Sequence, residues 1–282
     1  MNKIKITLLF ISLLLLIAGC STSKQQIEQP VLINNTEKIE ENINIKIIEE
    51  KTAQYVYFDP EITFSYKYFI EEGIMPYALY SPNTNNSVAK LPLIVWLHSD
   101  AENNCNLDFF FNHGLTKLLN NWQLEGFNAY VLFPHLTGKY NTTRWNNEKA
   151  VENLKELLDK IIKEYNIDIN KIIVCGHSLG GQGTIYMADK LSDYFYKAVV
   201  CSGYNSYPET ININIPIRAY VGTVPAGEDP ASVTFTTQTF SYIFGKENVF
   251  ICNTYHGGVP EKTFLQDKNN NNRSDVIEWM LE

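Results

Sequence analysis

The chain has 282 residues and carries 31 acidic against 23 basic side chains, which gives a formal net charge of −8. This acidic balance argues against nucleic acid and anionic lipid head groups as partners, because phosphates are bound through lysine and arginine. The length and composition indicate one globular domain after the N-terminal segments.

The N-terminus has the parts of a secretory signal. Two lysines precede an apolar stretch from Ile6 to Leu16, which is shorter than the ~20 residues of a membrane-spanning helix. The segment ends in Ile17-Ala18-Gly19-Cys20, which resembles the lipobox of bacterial lipoproteins. The resemblance implies that residues 1–19 are removed, that Cys20 carries a diacylglycerol, and that the protein is exported and anchored to the outer face of a bacterial membrane. An ordinary signal peptide that ends beside a cysteine is the alternative.

The segment 20–51 is polar and rich in Gln, Asn, Glu and Lys, without clear apolar periodicity until Ile43–Ile48. We interpret it as a tether that holds the remaining domain, residues 52–282, away from the membrane.

Strand and helix patterns alternate along the domain. Strands are predicted at Ile62–Phe69, Met75–Tyr80, Leu91–Leu97, Ala129–Phe133, Ile172–Val174, Lys197–Cys201, Ile215–Val221 and Asn248–Cys252. Helices are predicted at Glu148–Tyr165, Leu179–Leu191 and Ser274–Leu281. This alternation indicates an α/β fold with a mostly parallel central sheet, helices on both faces, and ligands at the carboxyl ends of the strands.

The most informative motif is Gly176-His177-Ser178-Leu179-Gly180, directly after the strand at Ile172–Val174. Gly-x-Ser-x-Gly between a strand and a helix is the pattern of a nucleophile elbow, which makes Ser178 the candidate nucleophile. The serine on such a turn has strained backbone angles, and the glycines on either side avoid a clash. A Gly-Ser turn without chemistry is the competing interpretation.

Three segments together resemble one enzyme family: Met75–Pro82, Leu91–His98 and Gly176–Gly181. They are similar to α/β-hydrolases of the secreted single-domain esterase group, which includes feruloyl-esterase-like and polyhydroxyalkanoate-depolymerase-like proteins. The resemblance covers roughly Ile62 to Glu282. It implies the α/β-hydrolase fold and acyl transfer by a Ser-His-Asp triad, in the chain order serine, acid, histidine, with no cofactor for catalysis.

The chain order of the family identifies the candidate base and limits the candidate acids to one loop. His256 follows the last predicted strand, where the family places its base. The acid belongs to the loop after the strand that ends at Val221, and that loop contains Glu228 and Asp229. We favour Asp229, because aspartate is the commoner triad acid and Pro230 would stiffen the loop after it; Glu228 is the alternative. The acid holds the imidazole of the base in one tautomer.

The other histidines do not fit the base: His113 precedes Ser178 and is excluded by the chain order, and three others have supporting roles by the same resemblance. His177 lies inside the elbow, and family members often carry a histidine there with no direct part in proton transfer. His98 and His135 each follow a predicted strand, and we expect both to support loops.

An oxyanion hole needs two backbone donors. Leu179, after the nucleophile, supplies one, and Ser99 or Asp100, after His98, supplies the other. Family members usually read His-Gly at this point, whereas this chain does not. A carboxylate at Asp100 would repel a developing oxyanion unless it points away. Glu102 matches an acid often found in this loop of the family, and we expect it to be structural.

The segment between the strands at Cys201 and Ile215 is too short for the lid domain that is commonly inserted there. We therefore expect an open site without a lid, suited to an ester on a bulky or polymeric carrier. Trp145 and Tyr204 either line its pocket or are half-buried aromatics. A serine peptidase or amidase on the same fold, and a surface-binding lipoprotein with a degenerate site, are the alternative functions.

Metal binding has one candidate, near the C-terminus. The spacing of oxygen ligands there matches positions 1, 3, 5, 7, 9 and 12 of an EF-hand-type calcium loop: Asp267, Asn269, Asn271, the Arg273 carbonyl, Asp275 and Glu278. The ion would be structural. A solvated Asn-rich turn capped by Ser274 is the competing interpretation.

Cysteine usage gives no catalytic zinc site, since the chain contains neither a Cys-x-x-Cys nor a His-Glu-x-x-His pattern. Cys175, Cys201 and Cys252 lie on predicted strands, and we expect them to be small buried hydrophobic residues.

Overall fold

The sheet of this protein is built from strands spread over almost the whole domain. The computed structural model describes residues 45–54, 63–71, 73–82, 89–103, 128–138, 142–203, 211–224, 230–264 and 275–282. The strands in these ranges are β1 (Ile45–Gln54), β2 (Thr63–Glu71), β3 (Ile74–Tyr80), β4 (Leu91–Leu97), β5 (Tyr130–Pro134), β6 (Ile167–His177), β7 (Lys197–Cys201), β8 (Ile217–Val224) and β9 (Val249–Tyr255). Residues 43–282 form one compact unit.

The described strands form one nine-stranded sheet in the order β1-β2-β3-β5-β4-β6-β7-β8-β9. From β5 to β9 in this order all neighbours are parallel. At the other edge β2 is antiparallel to both β1 and β3, and β3 is antiparallel to β5. The predicted mostly parallel sheet is therefore confirmed, with an antiparallel edge.

Helices cover both faces of the sheet. They are α1 (Glu148–Glu164), α2 (Leu179–Lys190), α3 (Pro230–Phe244), α4 (Val259–Phe264) and α5 (Asp275–Leu281), and short 3-10 helices lie at Asp100–Glu102, Lys246–Asn248 and His256–Gly258. One apolar cluster joins the sheet to α1, α2 and α3, and a second joins its opposite face to α4 and α5.

The core is divided into two clusters because successive side chains of a strand point to opposite faces of the sheet. On β6, Ile172 and Val174 belong to the first cluster, and Ile173 and Cys175 belong to the second. All four are fully or almost fully buried. A strand with both faces buried reads as a continuous apolar run, as this one does.

Local sequence explains where α1 begins. The side chain of Asn147 accepts a hydrogen bond from the Ala150 amide at 3.0 Å, which caps the first turn. Apolar residues then recur on one face, so that Leu154, Leu158 and Ile161 are fully buried.

The structure corrects one boundary. β1 begins at Ile45 and pairs with β2 along its length, so the last residues of the predicted tether 20–51 form a strand of the sheet. The apolar periodicity of the sequence begins just before this strand, at Ile43–Ile48, and isoleucine is common in strands. Residues 1–44, which include the predicted signal peptide and Cys20, lie outside the described residues. Within the described part of the chain, no helix has the length and apolar character needed to cross a membrane.

Candidate active site

Ser178 occupies a sharp turn between β6 and α2. Its φ is 56° and its ψ is −114°, a combination that is costly for a residue with a side chain. The Ser178 amide donates to the Cys201 carbonyl of β7 at 3.0 Å, so the neighbouring strand holds the turn in place. A strained serine at the end of a central strand is the geometry of a nucleophile elbow.

The glycines of the motif allow the chain after β4 to pack against this turn. A Cβ atom added to Gly180 would lie 1.8 Å from the Leu97 carbonyl oxygen and 2.8 Å from that of His98. A Cβ atom on Gly176 would lie 2.5 Å from the Gly180 carbonyl oxygen. Only glycine tolerates these approaches, and they bring the loop after β4 next to Ser178.

Leu179 is the first residue of α2. Its amide therefore has no acceptor within the helix, and the positive end of the helix dipole lies at this amide. The elbow thus places one predicted oxyanion donor directly beside the candidate nucleophile.

Glu102 distinguishes between the two candidates for the second donor. One oxygen of its buried carboxylate accepts the Ser99 amide at 2.8 Å and the Ser99 hydroxyl at 2.7 Å. Ser99 is the N-cap of the 3-10 helix Asp100–Glu102. Because the Ser99 amide is already used by Glu102, the amide of Asp100 is the better candidate of the two, and the Asp100 side chain is exposed to solvent.

Two buried histidines support this loop. His98 donates from Nδ1 to the Ser99 carbonyl at 2.7 Å and accepts the Leu136 amide at Nε2 at 3.0 Å, a pattern that requires the neutral ring. His135 donates from Nε2 to the Glu102 carbonyl at 3.2 Å. Burial lowers the pKa of His98 to about 3 and that of His135 to about 4. Both rings are neutral supports of the loop, as predicted.

Burial has the opposite effect on the acid of the same loop. It raises the pKa of Glu102 to about 7, although both hydrogen bonds from Ser99 favour the ionised form. Desolvation of the carboxylate therefore outweighs the two donors at this position.

Trp145 belongs to the core rather than to a substrate pocket. Its side chain is fully buried, its Nε1 donates to the His98 carbonyl at 3.0 Å, and a Cβ atom on Gly183 would lie 2.3 Å from the Trp145 Cβ. The interpretation of Trp145 as a pocket residue is therefore wrong, because the ring fills the space between α2 and the loop after β4. Tyr204 lies outside the described residues.

His256 begins a short 3-10 helix directly after β9. The His177 Nε2 donates to the His256 carbonyl oxygen at 3.0 Å, and the centroids of the two rings are 4.8 Å apart with an angle of 48° between the planes. The structure therefore brings the turn that carries His256 to the residue immediately before Ser178.

Ser202 is a residue of this region that the sequence analysis missed. It follows the last residue of β7 with a φ of 48°, and its hydroxyl donates to the His256 carbonyl at 3.4 Å. In the described part of the chain, Ser178 and Ser202 are the non-glycine residues with positive φ. The sequence signal was Ser202-Gly203 directly after a predicted central strand. In the structure this glycine packs on Gly181 of α2.

The two candidate acids lie outside the described residues. β8 ends at Val224 and α3 begins at Pro230, so Glu228 and Asp229 lie in the connection between them. That connection leaves the carboxyl end of β8, which is the edge of the sheet where β6 ends at the elbow and β9 ends at His256. The assignment of the acid stays a prediction.

The calcium site stays a prediction as well. Asp275 and Glu278 lie in the first turn of α5, whereas Asp267, Asn269 and Asn271 lie outside the described residues. Among the residues that are described, no group of three or more His, Cys, Asp or Glu side chains is placed to hold a metal ion. Cys175, Cys201 and Cys252 are buried free thiols, which confirms their predicted role as small core residues.

Known structures match the fold of this chain, whereas no protein-family model and no curated protein matches its sequence. A thermostable esterase is 21% identical over 82% of this chain with a TM-score of 0.55, and the chain spans 62% of that protein's length. The fluorophosphonate-binding serine hydrolase FphF of Staphylococcus aureus is 14% identical, with 83% of this chain and 99% of that protein covered and a TM-score of 0.51.

The S-formylglutathione hydrolase FrmB of Staphylococcus aureus is 13% identical, with 87% of this chain and 100% of that protein covered and a TM-score of 0.52. Likenesses at these identities establish the fold. The chain has the α/β-hydrolase fold.

Proposed function

We propose that this protein is a serine carboxylic-ester hydrolase. The observation that carries the proposal is the strained Ser178 turn at the end of β6, hydrogen-bonded through His177 to the turn that carries His256. The names of the similar structures, an esterase, a fluorophosphonate-binding serine hydrolase and an S-formylglutathione hydrolase, agree with ester hydrolysis by an activated serine. No metal or cofactor has a part in the proposed reaction.

The reaction begins with proton transfer from Ser178 to His256. The Ser178 oxygen then attacks the carbonyl carbon of the ester, and the carbonyl oxygen becomes an oxyanion. As the tetrahedral intermediate collapses, the carbon–oxygen bond to the alcohol breaks, and His256 gives its proton to the leaving alcohol. The acyl group remains bound to Ser178.

Water completes the cycle. His256 removes a proton from a water molecule, the hydroxide attacks the acyl carbon, and the second intermediate releases the carboxylic acid and returns the proton to Ser178. Asp229, or Glu228 in its place, orients the imidazole and stabilises the imidazolium that forms twice in each cycle.

The elbow supports stabilisation of both oxyanions. The Leu179 amide at the start of α2 and the Asp100 amide are the proposed donors, and removal of one such donor typically costs about 10²–10³-fold in kcat. The hydrogen bonds from Ser99 to Glu102 hold the loop of Asp100 before substrate arrives, so little reorganisation is needed during the reaction.

For the substrate, we propose an ester on a bulky or polymeric carrier at an open site. β7 ends at Cys201 and β8 begins at Ile217, which leaves a short connection where a lid domain is commonly inserted. The lipobox-like segment at Cys20 supports action at the outer surface of a bacterial membrane.

Replacement of the nucleophile or the base tests this function. Ser178→Ala and His256→Ala should each lower hydrolysis of a p-nitrophenyl ester by about 10³-fold or more. Ser178→Ala should also abolish covalent labelling by a fluorophosphonate probe. Ser192→Ala, in the turn after α2, is the matched serine control and should behave as the wild type.

The same assays separate the alternatives. Faster turnover of a matched p-nitroanilide than of the ester would identify an amidase. A folded protein that neither hydrolyses the ester nor takes up the probe would be a binding lipoprotein. Ser178→Ala protein that keeps most of the ester hydrolysis would contradict the proposed function.

A further inference from the structure

His177 is the residue on which this inference rests. It is the last residue of β6 and stands opposite Cys201 in the parallel ladder with β7, so its backbone is fixed by the centre of the sheet. One peptide bond separates it from Ser178. Its ring is half-buried and lies against the ring of His256 at a centroid distance of 4.8 Å.

In the hydrogen bond between His177 and His256, the donor and the acceptor are fixed by chemistry. The His256 carbonyl oxygen can only accept, so the His177 Nε2 at 3.0 Å must carry the hydrogen. A neutral His177 with its proton on Nε2 makes this bond without adding a positive charge beside His256. A lysine or arginine donor at the same place would oppose the imidazolium that His256 forms during the proposed reaction.

The same carbonyl oxygen is held from other elements. The Ser202 hydroxyl donates to it at 3.4 Å from the end of β7, and the Val259 amide donates to it from the start of α4. Tyr255, which caps the 3-10 helix of His256, makes no side-chain capping bond. The main chain of His256 is therefore anchored through its carbonyl oxygen, and His177 is the anchor that directly precedes the nucleophile in the chain.

We propose that His177 is a positioning residue for the base. By bonding the His256 main chain to the residue before Ser178, it sets the distance between base and nucleophile independently of the loop that carries the acid. This role rests on the proposed function. Proton transfer depends steeply on such distances, since a displacement of about 1 Å costs about 10²-fold in rate.

Two amide variants separate positioning from general stability. The Nε2 of glutamine reaches the position of the histidine Nε2, whereas the shorter asparagine places its amide near the position of Nδ1. We therefore expect His177→Gln to keep kcat within about threefold of the wild type, and His177→Asn to lose about 10–100-fold. KM should change little in either variant, because His177 acts through His256 and does not touch the ester.

Fluorophosphonate labelling provides a second readout, because it depends on removal of the Ser178 proton. Its rate should fall in His177→Asn in parallel with kcat, while the melting temperatures of the two amide variants stay alike. Ser202→Ala should have a smaller effect than His177→Asn, because its hydroxyl is farther from the carbonyl.

Two results would overturn the positioning role. One is a His177→Asn protein whose kcat equals that of His177→Gln. The other is folded His177→Gln protein that has lost tenfold or more in kcat, a result that is decisive even if the asparagine variant does not fold. Ser178→Ala is measured beside them. If it is inactive while asparagine and glutamine behave alike, only the positioning role is wrong; if it is active, both proposals are wrong.

Discussion

At the scale of single residues, the loop after β4 is organised by one carboxylate. Glu102 accepts both the amide and the hydroxyl of Ser99, so the next amide in the chain, that of Asp100, is the proposed second oxyanion donor. The resemblance predicts a glycine after His98, whereas this chain has Ser99, which has a hydrogen-bond partner of its own. The departure from the family pattern at Ser99 is therefore accommodated by Glu102.

The identity of the triad acid, Asp229 or Glu228, also depends on single residues, and a substitution just before α3 tests it. Pro230 is the first residue of α3, and Asp229 directly precedes it. Aspartate and asparagine are comparable as helix N-caps, so Asp229→Asn removes the charge without loss of capping ability. If Asp229 is the acid, this variant should lose about 10⁴-fold in kcat while its melting temperature changes little.

Glu228→Gln is the matched control, since it removes a charge from the neighbouring residue, and we expect it to stay near wild-type activity. Steady-state hydrolysis of a p-nitrophenyl ester gives the ranking. The reverse ranking would transfer the role to Glu228, and small, equal losses would place the acid elsewhere in the chain.

At the scale of elements, sequence patterns located strands better than helices. The patterns at Leu91–Leu97 and Lys197–Cys201 coincide with β4 and β7, because buried parallel strands are continuous apolar runs between polar segments. The helix α3 was missed. Its sequence PASVTFTTQTFSYIF is rich in threonine and aromatic residues, which have low helix propensity, and its packing against the sheet outweighs that preference.

The loop after β4 also makes stability depend on pH. The pKa of His98 falls from 6.5 to about 3 and that of His135 to about 4, so the stability they contribute is complete above pH 6.5 and is lost as the pH falls. The pKa of Glu102 rises from 4.5 to about 7. Its contribution is therefore complete below pH 4.5 and is lost as the pH rises through 7.

The two histidines outweigh the single glutamate between about pH 5 and 6.5. Around pH 5 to 5.5, unfolding takes up about one net proton at this loop, so the loop contributes a rise of about 1.4 kcal/mol per pH unit to the free energy of unfolding. The rise becomes smaller toward pH 6.5, because the unfolded histidines then lose their protons. Near pH 7 the proton uptake of the two histidines and the proton release of Glu102 cancel. The loop's contribution to the unfolding free energy then no longer changes with pH.

Glu102→Gln isolates the acid in this balance. Without the glutamate, the loop's share of the rise in unfolding free energy around pH 5 to 5.5 should nearly double, to about 2.5 kcal/mol per pH unit. Urea denaturation of both proteins across this range measures the difference, in which the other titrating groups cancel. Parallel curves for the two proteins would show that Glu102 titrates alike in the folded and unfolded chains.

At the scale of the whole molecule, the proposed anchor decides where the enzyme acts. Diacylglycerol on Cys20 would hold the protein through two acyl chains, and each buried methylene contributes about 0.8 kcal/mol, whereas one chain alone binds weakly. Cys20→Ala should leave unprocessed precursor or release the enzyme into the medium. Cys105→Ala is the cysteine control and should remain in the membrane fraction.

Mass spectrometry of the mature N-terminus is the direct measurement. A diacylglycerol on Cys20 is the expected result, and a mature chain that begins at Cys20 without lipid would contradict the anchor. Electrostatic attraction cannot hold the protein at the membrane in place of the lipid anchor, because an acidic protein is repelled by anionic head groups.

The sequence by itself determined the order of β2 to β9 with α1, α2 and α5, the elbow at Ser178 and the candidate set of His256, Glu228 and Asp229. These features depend on neighbours in the chain: apolar runs, a Gly-x-Ser-x-Gly pattern and positions after strands. β1 pairs with the next strand in the chain, but its charged stretch Glu49-Glu50-Lys51 lacks the apolar alternation of a strand, and most of β1 was therefore assigned to the tether.

Only the tertiary structure decided how the site is supported. Trp145 is buried between α2 and the loop after β4, and the His256 carbonyl is held from β6 and β7. Each of these facts is a distance between atoms brought together by the sheet. Hydrogen bonds act over about 3 Å in space, and no periodicity along the chain records which residues fall within that distance after folding.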